Sequence, residues 1–157
     1  VGDCGVIVAR FHGNFSFTVD SKGRVNIPAK FRSSLNPAAN ETFTICRGPD
    51  GCLRAYPSDL WEAYETELLA LPETEETLRL KRLLYATLTD STLDAQGRIT
   101  LSSTQMKNAG ITKDVVLIGQ ANYVEIWDAD RHSAYYNRAD DFNDVFYHSV
   151  GAGIPKS

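Results

Sequence analysis

One phrase occurs twice in this chain. Residues 17–27 read FTVDSKGRVNI and residues 91–101 read STLDAQGRITL. At an offset of 74, Thr18, Asp20, Gly23 and Arg24 meet Thr92, Asp94, Gly97 and Arg98, and apolar positions match at Val19/Leu93, Val25/Ile99 and Ile27/Leu101. Downstream, FTICR at 43–47 corresponds to VVLIG at 115–119, and CLRAYPSD at 52–59 to YVEIWDAD at 123–130. A period of about 70 residues is longer than the roughly 20–50 residues of a solenoid or propeller unit. The repeat therefore describes two duplicated half-domains.

Each half carries the same order of predicted elements. A strand at Phe15–Val19 runs into D-S-K-G, and a second strand at Arg24–Ile27 has apolar residues at Val25 and Ile27, a period of two. Pro28 suits the first position of a short helix, Pro28–Leu35, because it gives up no needed N–H there. N-P-A-A-N breaks that helix. Strands Thr42–Arg47 and Cys52–Tyr56 flank G-P-D-G and read as a hairpin. The second half repeats the pattern with Thr92–Leu93, Arg98–Leu101, a helix from about Ser103 to Ala109 stopped by Gly110, then Val115–Gly119 and Tyr123–Trp127.

Two helices are expected between the halves. Asp59-Leu-Trp-Glu62 has the form of a capping box, followed by Leu60, Tyr64, Leu68 and Leu71 on one face until Pro72. Glu73–Thr87 forms the second, with Leu80, Leu83 and Leu84 apolar and Glu75 and Arg79 spaced for an i,i+4 pair. The chain from about Phe142 is expected to be loosely held. The resulting division is 1–13 as an extension and strand start, 14–60 as the first repeat, 61–87 as a helical connector, 88–131 as the second repeat, and 132–157 as a C-terminal helix and tail.

Each strand pair is joined through Asp-x-x-Gly-Arg. An Asp side chain can accept from backbone N–H groups two or three residues ahead and close an Asx-type turn, and Gly can take the positive φ such a turn requires. Asp20, Gly23, Asp94 and Gly97 are thus turn-forming residues. A turn does not require arginine, yet Arg24 and Arg98 recur at the same place. Both are expected to project from the start of the next strand, with a solvated side chain or an intramolecular ion pair as the plainer alternative. Arginine suits phosphate and guanine because its planar fork makes two parallel hydrogen bonds.

Charge is unevenly placed. The net charge of the 157 residues is −4, which argues against coating nucleic acid by bulk positive charge. Yet residues 1–57 carry seven Lys/Arg against four Asp/Glu, residues 58–90 three against eight, and residues 91–157 six against eight. Lys22, Arg24, Lys30 and Arg32 give residues 20–32 a net +3, against +1 for 94–107.

Composition narrows the classes further. A hydrophobic fraction of 43% with 23% charged residues is that of a globular domain. No apolar stretch approaches the roughly 20 residues that span a bilayer, and VGDCGVIVAR does not read as a secretory signal. Three cysteines, Cys4, Cys46 and Cys52, read as reduced thiols. They match no zinc spacing, and His12, His132 and His148 are widely separated, so no metal or other cofactor is expected.

The phrases FTVDSKGRVNIPAKFR, KRLLYA at 81–86, DAQGR and KDVVLIGQANYVEIWD at 113–128 resemble the MraZ family of bacterial transcriptional regulators. The likeness runs over roughly residues 11–131; about ten residues precede the point near Arg10 or Phe11 where the family's sequences usually begin. The resemblance implies an α+β, β-rich fold: two swapped-hairpin β-barrel repeats of the SpoVT-AbrB type, intertwined as an intrachain pseudo-dimer with flanking helices. It also implies closed homo-oligomeric rings and repression at directly repeated, G-rich DNA elements ahead of the division and cell-wall gene cluster. The family's D-x-x-x-R motif corresponds to Asp20–Arg24 and Asp94–Arg98.

The expected function is therefore a DNA-binding transcriptional repressor, cytoplasmic and nucleoid-associated. Its partners are double-stranded promoter DNA and further copies of itself, with no membrane and no small-molecule substrate. Lys22 and Arg24 are expected to grip DNA, Arg98 to assist, and Lys30 and Arg32 to position the backbone or face an interface. Gln96 replaces Lys22 and Ser102 replaces Pro28 in the second copy, which assigns that loop a supporting part. Two alternatives compete with this function. The first is an antitoxin-like protein-interaction module using the acidic helices at 58–76. The second is an enzyme using Cys46 or Cys52 with a histidine, which strand placement and the lack of a Gly-rich phosphate loop disfavour.

Overall fold

Strands of one repeat pair with strands of the other. The computed structural model describes residues 9–138 and 141–151. The first half supplies β1 (Asn14–Thr18), β2 (Arg24–Asn26), α1 (Ala29–Arg32), β3 (Thr42–Arg47) and β4 (Leu53–Pro57), and α2 (Ser58–Leu69) and α3 (Glu75–Tyr85) follow. The second half supplies β5 (Thr89–Thr92), β6 (Arg98–Thr100), α4 (Ser103–Ala109), β7 (Asp114–Gly119) and β8 (Val124–Asp128), then α5 (Ala129–Tyr136) and α6 (Phe142–Val150).

Six strands form one antiparallel sheet in the order β1-β7-β8-β4-β3-β5, and β2 pairs with β6 in a separate ribbon. Exchanging the repeats leaves this order unchanged when it is read from the other edge. The registers obey the same exchange: Phe17↔Val115 mirrors Ser91↔Phe43, and Arg24↔Thr100 mirrors Asn26↔Arg98. Two pairs map onto themselves, Val25↔Ile99 in the ribbon and Arg54↔Glu125 at the centre of the sheet. A pseudo-two-fold axis passes through both.

The inner face of the sheet carries Phe43, Ile45, Leu53, Ala55, Val115, Leu117, Val124 and Ile126, all buried, and the ribbon adds Val25 and Ile99 to the same core. Each large side chain so buried contributes about 1.5–3 kcal/mol. The outer face is covered too, which is why β7 is apolar on both sides. Cys46 and Tyr56 pack under Trp61, Leu68 and Leu84 of α2 and α3, while Cys52, Val116, Ile118 and Trp127 pack near Ala129 of α5. Among the described residues, no helix is long and apolar enough to cross a membrane.

Several local expectations need correction. The first helix is a single turn starting at Ala29; Pro28 caps it with an extended ψ of 142°, and Ser33 and Ser34 hydroxyls donate to Lys30 O. The Asp59 capping box does not form. The helix starts at Ser58, whose hydroxyl donates to Ala39 O, and Asp59 instead accepts from Asn36 Nδ2 at 3.3 Å. Reciprocal side-chain caps occur at Thr74/Thr77 and Ser102/Gln105. Helix α3 spans Glu75–Tyr85, and among the described residues no ion pair joins Glu75 to Arg79. Leu71, Leu80 and Leu83 are exposed, and only Leu84 of α3 is buried. The segment expected to be loosely held contains α6, capped by Asp141 accepting from Asp144 N at 2.8 Å and burying none of its residues, and its end at 152–157 lies outside the described residues.

Candidate nucleic-acid interface

The ribbon β2–β6 brings the two D-x-x-G-R loops to the same end of the molecule, one on each side of the pseudo-axis. Each loop is built identically from its own residues. Asp20 Oδ1 accepts from Lys22 N and Arg24 N, both at 2.9 Å, and Asp94 Oδ1 accepts from Gln96 N and Arg98 N, both at 2.9 Å. Gly23 N donates to Asp20 O at 3.0 Å and Gly97 N to Asp94 O at 2.9 Å. The chain then turns through φ of +80° at Gly23 and +76° at Gly97, the left-handed region that glycine enters without a Cβ penalty. Each loop is fixed to the opposite repeat: Leu101 N donates to Gly23 O at 2.8 Å and Ile27 N to Gly97 O at 3.0 Å.

The arginines do not project freely. Arg24 Nε donates to Asp20 Oδ2 at 2.6 Å, and Arg98 Nε to Asp94 Oδ2 at 2.8 Å. The aspartates therefore both fold the turn and aim the guanidinium, and the ion-pair alternative is the observed one. Among the described residues the Nη nitrogens of Arg24 have no partner, and its side chain is 33% exposed. Arg98 is less open, at 21%, and its Nη1 lies 3.8 Å from Asp20 Oδ2. The backbone N–H of Arg24, followed by its guanidinium, holds the Asp20 carboxyl down at about 2. The Asp94 carboxyl is lowered by the same bonds from Arg98. Both arginines thus keep an ionised partner across any neutral pH, while an edge of the Arg24 fork stays available to a ligand.

Of the other residues singled out, Lys22 stands exposed at the tip of the first loop and Gln96 at the tip of the second. Lys30 is directed elsewhere: its Nζ lies 3.1 Å from His12 Nδ1. Arg32 does not join the first loop. Its Nε donates to Ile27 O at 3.1 Å, and its guanidinium lies over Gly97 of the second loop, where a Cβ would stand 2.9 Å from Cζ, Nε and Nη1. At the equivalent place in the other half, Met106 Sδ lies 3.6 Å from the Cβ position of Gly23. The basic cluster assigned by sequence to one repeat is divided between the two loops.

Lys113 was missed. Its carbonyl accepts from Val19 N at 2.8 Å, which places it at the base of the first loop, while its counterpart Glu41 accepts from Leu93 N at 2.8 Å beside the second. The repeat alignment that pairs Lys113 with Glu41 and Arg32 with Met106 contains the signal, but only the pairing of strands across the repeats tells which loop each one flanks.

Cys46 and Cys52 are both buried. Burial pushes the Cys46 thiol up to about 11 and Cys52 to about 12, so both stay protonated. Among the described residues no group of three His, Cys, Asp or Glu side chains is placed to hold a metal ion. Cys4 lies outside the described residues.

A family model described as "MraZ protein, putative antitoxin-like" matches residues 11–83 and again 84–146. The chain is 42% identical over 130 residues to a protein of Limosilactobacillus fermentum named transcriptional regulator MraZ, covering 82% of this chain and 88% of that one. It is 42% identical over 135 residues to the protein of that name in Limosilactobacillus reuteri, covering 85% and 92%. A third, from Lachnoclostridium phytofermentans, is 36% identical over 144 residues, covering 92% and 98%. With the twin loops, the exchanged strands and both halves matched, the chain belongs to the MraZ family.

Proposed function

We propose that the chain is a DNA-binding transcriptional regulator, and that the paired D-x-x-G-R loops are the surface that grips duplex DNA. The observation that carries this reading is the side-by-side placement of two pre-aimed guanidiniums, Arg24 and Arg98, on one ribbon. Ion pairing to Asp20 and Asp94 fixes their direction in advance, so little side-chain freedom is lost when phosphate or a guanine edge is bound. Lys22 adds a cation at the tip of the first loop, and Arg98, more enclosed, takes a supporting part.

One chain presents few phosphate contacts, so its binding is weak and salt-sensitive. Assembly into a homo-oligomeric ring repeats the loops, and effective concentration then raises affinity about 10²–10⁴-fold without new contacts. The exchange of first strands between repeats is, in this reading, that of the swapped-hairpin barrel. The targets are directly repeated promoter elements ahead of the division and cell-wall genes, and occupation of the promoter represses them without chemistry or cofactor.

Footprinting of the purified protein on the duplex upstream of its own gene tests the proposal. Regularly spaced protected segments that disappear with Arg24→Ala are expected. Unchanged protection by Arg24→Ala would remove the loops from the interface. Light scattering should find a particle several times the 17.4 kDa chain mass; a monomer would remove the ring.

A further inference from the structure

We infer that Arg32 is a phosphate contact of the second loop, delivered to it from the first repeat, and that Met106 marks the place where the first loop lacks the same contact. The inference rests on the DNA-binding reading above and names a further residue of that site. Three observations carry it. Arg32 is exposed, and among the described residues its polar contact is the bond from Nε to Ile27 O, which leaves the Nη nitrogens open. The guanidinium lies on the Cα face of Gly97, inside the turn that carries Arg98, in space that any side chain at Gly97 would invade. Met106 occupies the equivalent position against Gly23.

A guanidinium anchored by one nitrogen and free at two keeps a fixed orientation and still makes the forked contact that suits phosphate. Counting tip and flank alone, each loop then carries one extra cation, placed by different means. The first has Lys22 at its tip and a thioether at its flank. The second has Gln96 at its tip and Arg32 at its flank. The pseudo-symmetric surface therefore presents its extra cations at non-equivalent points.

The test uses the full chain, the duplex upstream of its own gene, and anisotropy titrations over a series of KCl concentrations. Each phosphate contact adds about 0.9 to the slope of log K against log salt. Arg32→Met is expected to reduce the slope by about 0.9 per bound protomer, and Arg32→Lys, which keeps the charge, to retain it. Met106→Arg, which gives the first loop the missing cation, is expected to steepen it by a similar amount. An unchanged slope for Arg32→Met at wild-type oligomer size and far-ultraviolet dichroism would overturn the inference, as would an equal loss with Arg32→Lys. Should Arg32→Met fail to fold, Met106→Arg decides alone, and an unchanged slope there is again fatal. Wild-type protein that does not bind the duplex at all would instead sink the DNA-binding reading on which the inference stands.

Discussion

Arg98 Nη1 lies 3.8 Å from Asp20 Oδ2, the oxygen that also accepts from Arg24 Nε at 2.6 Å. One carboxylate of the first repeat therefore faces the arginines of both. The arrangement keeps two like charges close on one ribbon, because each sees a negative group nearer than it sees the other. It also makes the site unequal: Asp20 serves two guanidiniums, and Asp94 is paired with one.

This inequality should appear in titration. The Asp20 carboxyl is lowered to about 2 from a usual value near 3.8. A lowered folded-state value means that the interaction is present in full above the unfolded value and is lost as pH falls through the folded one. The loop should thus hold above about pH 4 and open between about pH 4 and 2. Carbon-13 titration of the Asp20 carboxyl gives the value directly, and Arg98→Ala should raise it slightly. A midpoint near 4 in the intact protein would contradict the bonded geometry.

The turn glycines should respond differently to the same substitution. Both have positive φ, which costs an alanine roughly 1–2 kcal/mol. A Cβ at Gly23 also meets the backbone carbonyl of Leu101, which cannot move without disturbing the strand, whereas at Gly97 it meets the far end of Arg32. Gly23→Ala should therefore lower stability more than Gly97→Ala in urea unfolding. Gly97→Ala should instead displace Arg32 and weaken DNA binding at nearly unchanged fold. Equal losses of stability would refute the difference.

Phe31 and Gln105 occupy equivalent positions and are both fully buried, and they show where sequence reading reached its limit. The repeat, the hairpin β3–β4 and the two turns were legible because alternation, turn residues and identical spacing each act locally. Phe31 reads as core and packs edge-on against Phe11 and Phe15, with ring centroids 5.2 and 5.1 Å away. Gln105 is polar, yet its Nε2 lies within hydrogen-bond distance of Ile45 O, Thr87 O and Thr89 Oγ1, and its Oε1 accepts from Ser102 N. Strand β5 starts at Thr89, ahead of the expected Thr92–Leu93. T-D-S-T has no apolar alternation, and its edge is held by Thr44 Oγ1 donating to Asp90 at 2.7 Å and by the Thr42–Thr92 hydroxyl pair at 2.9 Å. The placement of Arg32 depends on the pairing of β2 with β6 across the repeats, which no local pattern encodes.

That satisfied network predicts a severe effect from a modest change. Gln105→Ala leaves the carbonyls of Ile45 and Thr87 and the N–H of Ser102 without this partner, and should destabilise by roughly 2–4 kcal/mol. Phe31→Ala, by emptying an aromatic contact in the main core, should cost roughly 3–5 kcal/mol. Urea midpoints at constant m-value measure both. A Gln105→Ala effect under half a kilocalorie would mean that water replaces the amide without loss.

The buried thiols should be inert until the fold opens. With values of about 11 for Cys46 and about 12 for Cys52, the thiolate populations at pH 8 are on the order of 10⁻³ and 10⁻⁴. In a Cys4→Ser background, reaction with an aromatic disulfide should follow global unfolding and accelerate sharply in urea. Fast modification of either thiol in the native protein would show that α2, α3 or α5 lifts from the outer face of the sheet.

The two arginines should differ in their effect on DNA affinity. Arg24 keeps its Nη nitrogens free of partners among the described residues, while Arg98 leans toward Asp20 and is the more enclosed. Removal of one forked contact is worth about 1–3 kcal/mol, roughly a 5- to 150-fold loss for each protomer engaged. Arg24→Ala should show the full loss. Arg98→Ala should show less, because Arg32 remains on the same loop and one of the lost contacts is internal. Arg24→Lys should recover nonspecific, salt-dependent binding without recovering discrimination between promoter and random duplex, since a point charge satisfies phosphate but not the paired acceptors of guanine. Competition gel shifts with both duplexes separate these outcomes. An equal or larger loss from Arg98→Ala would reverse the order of the two loops.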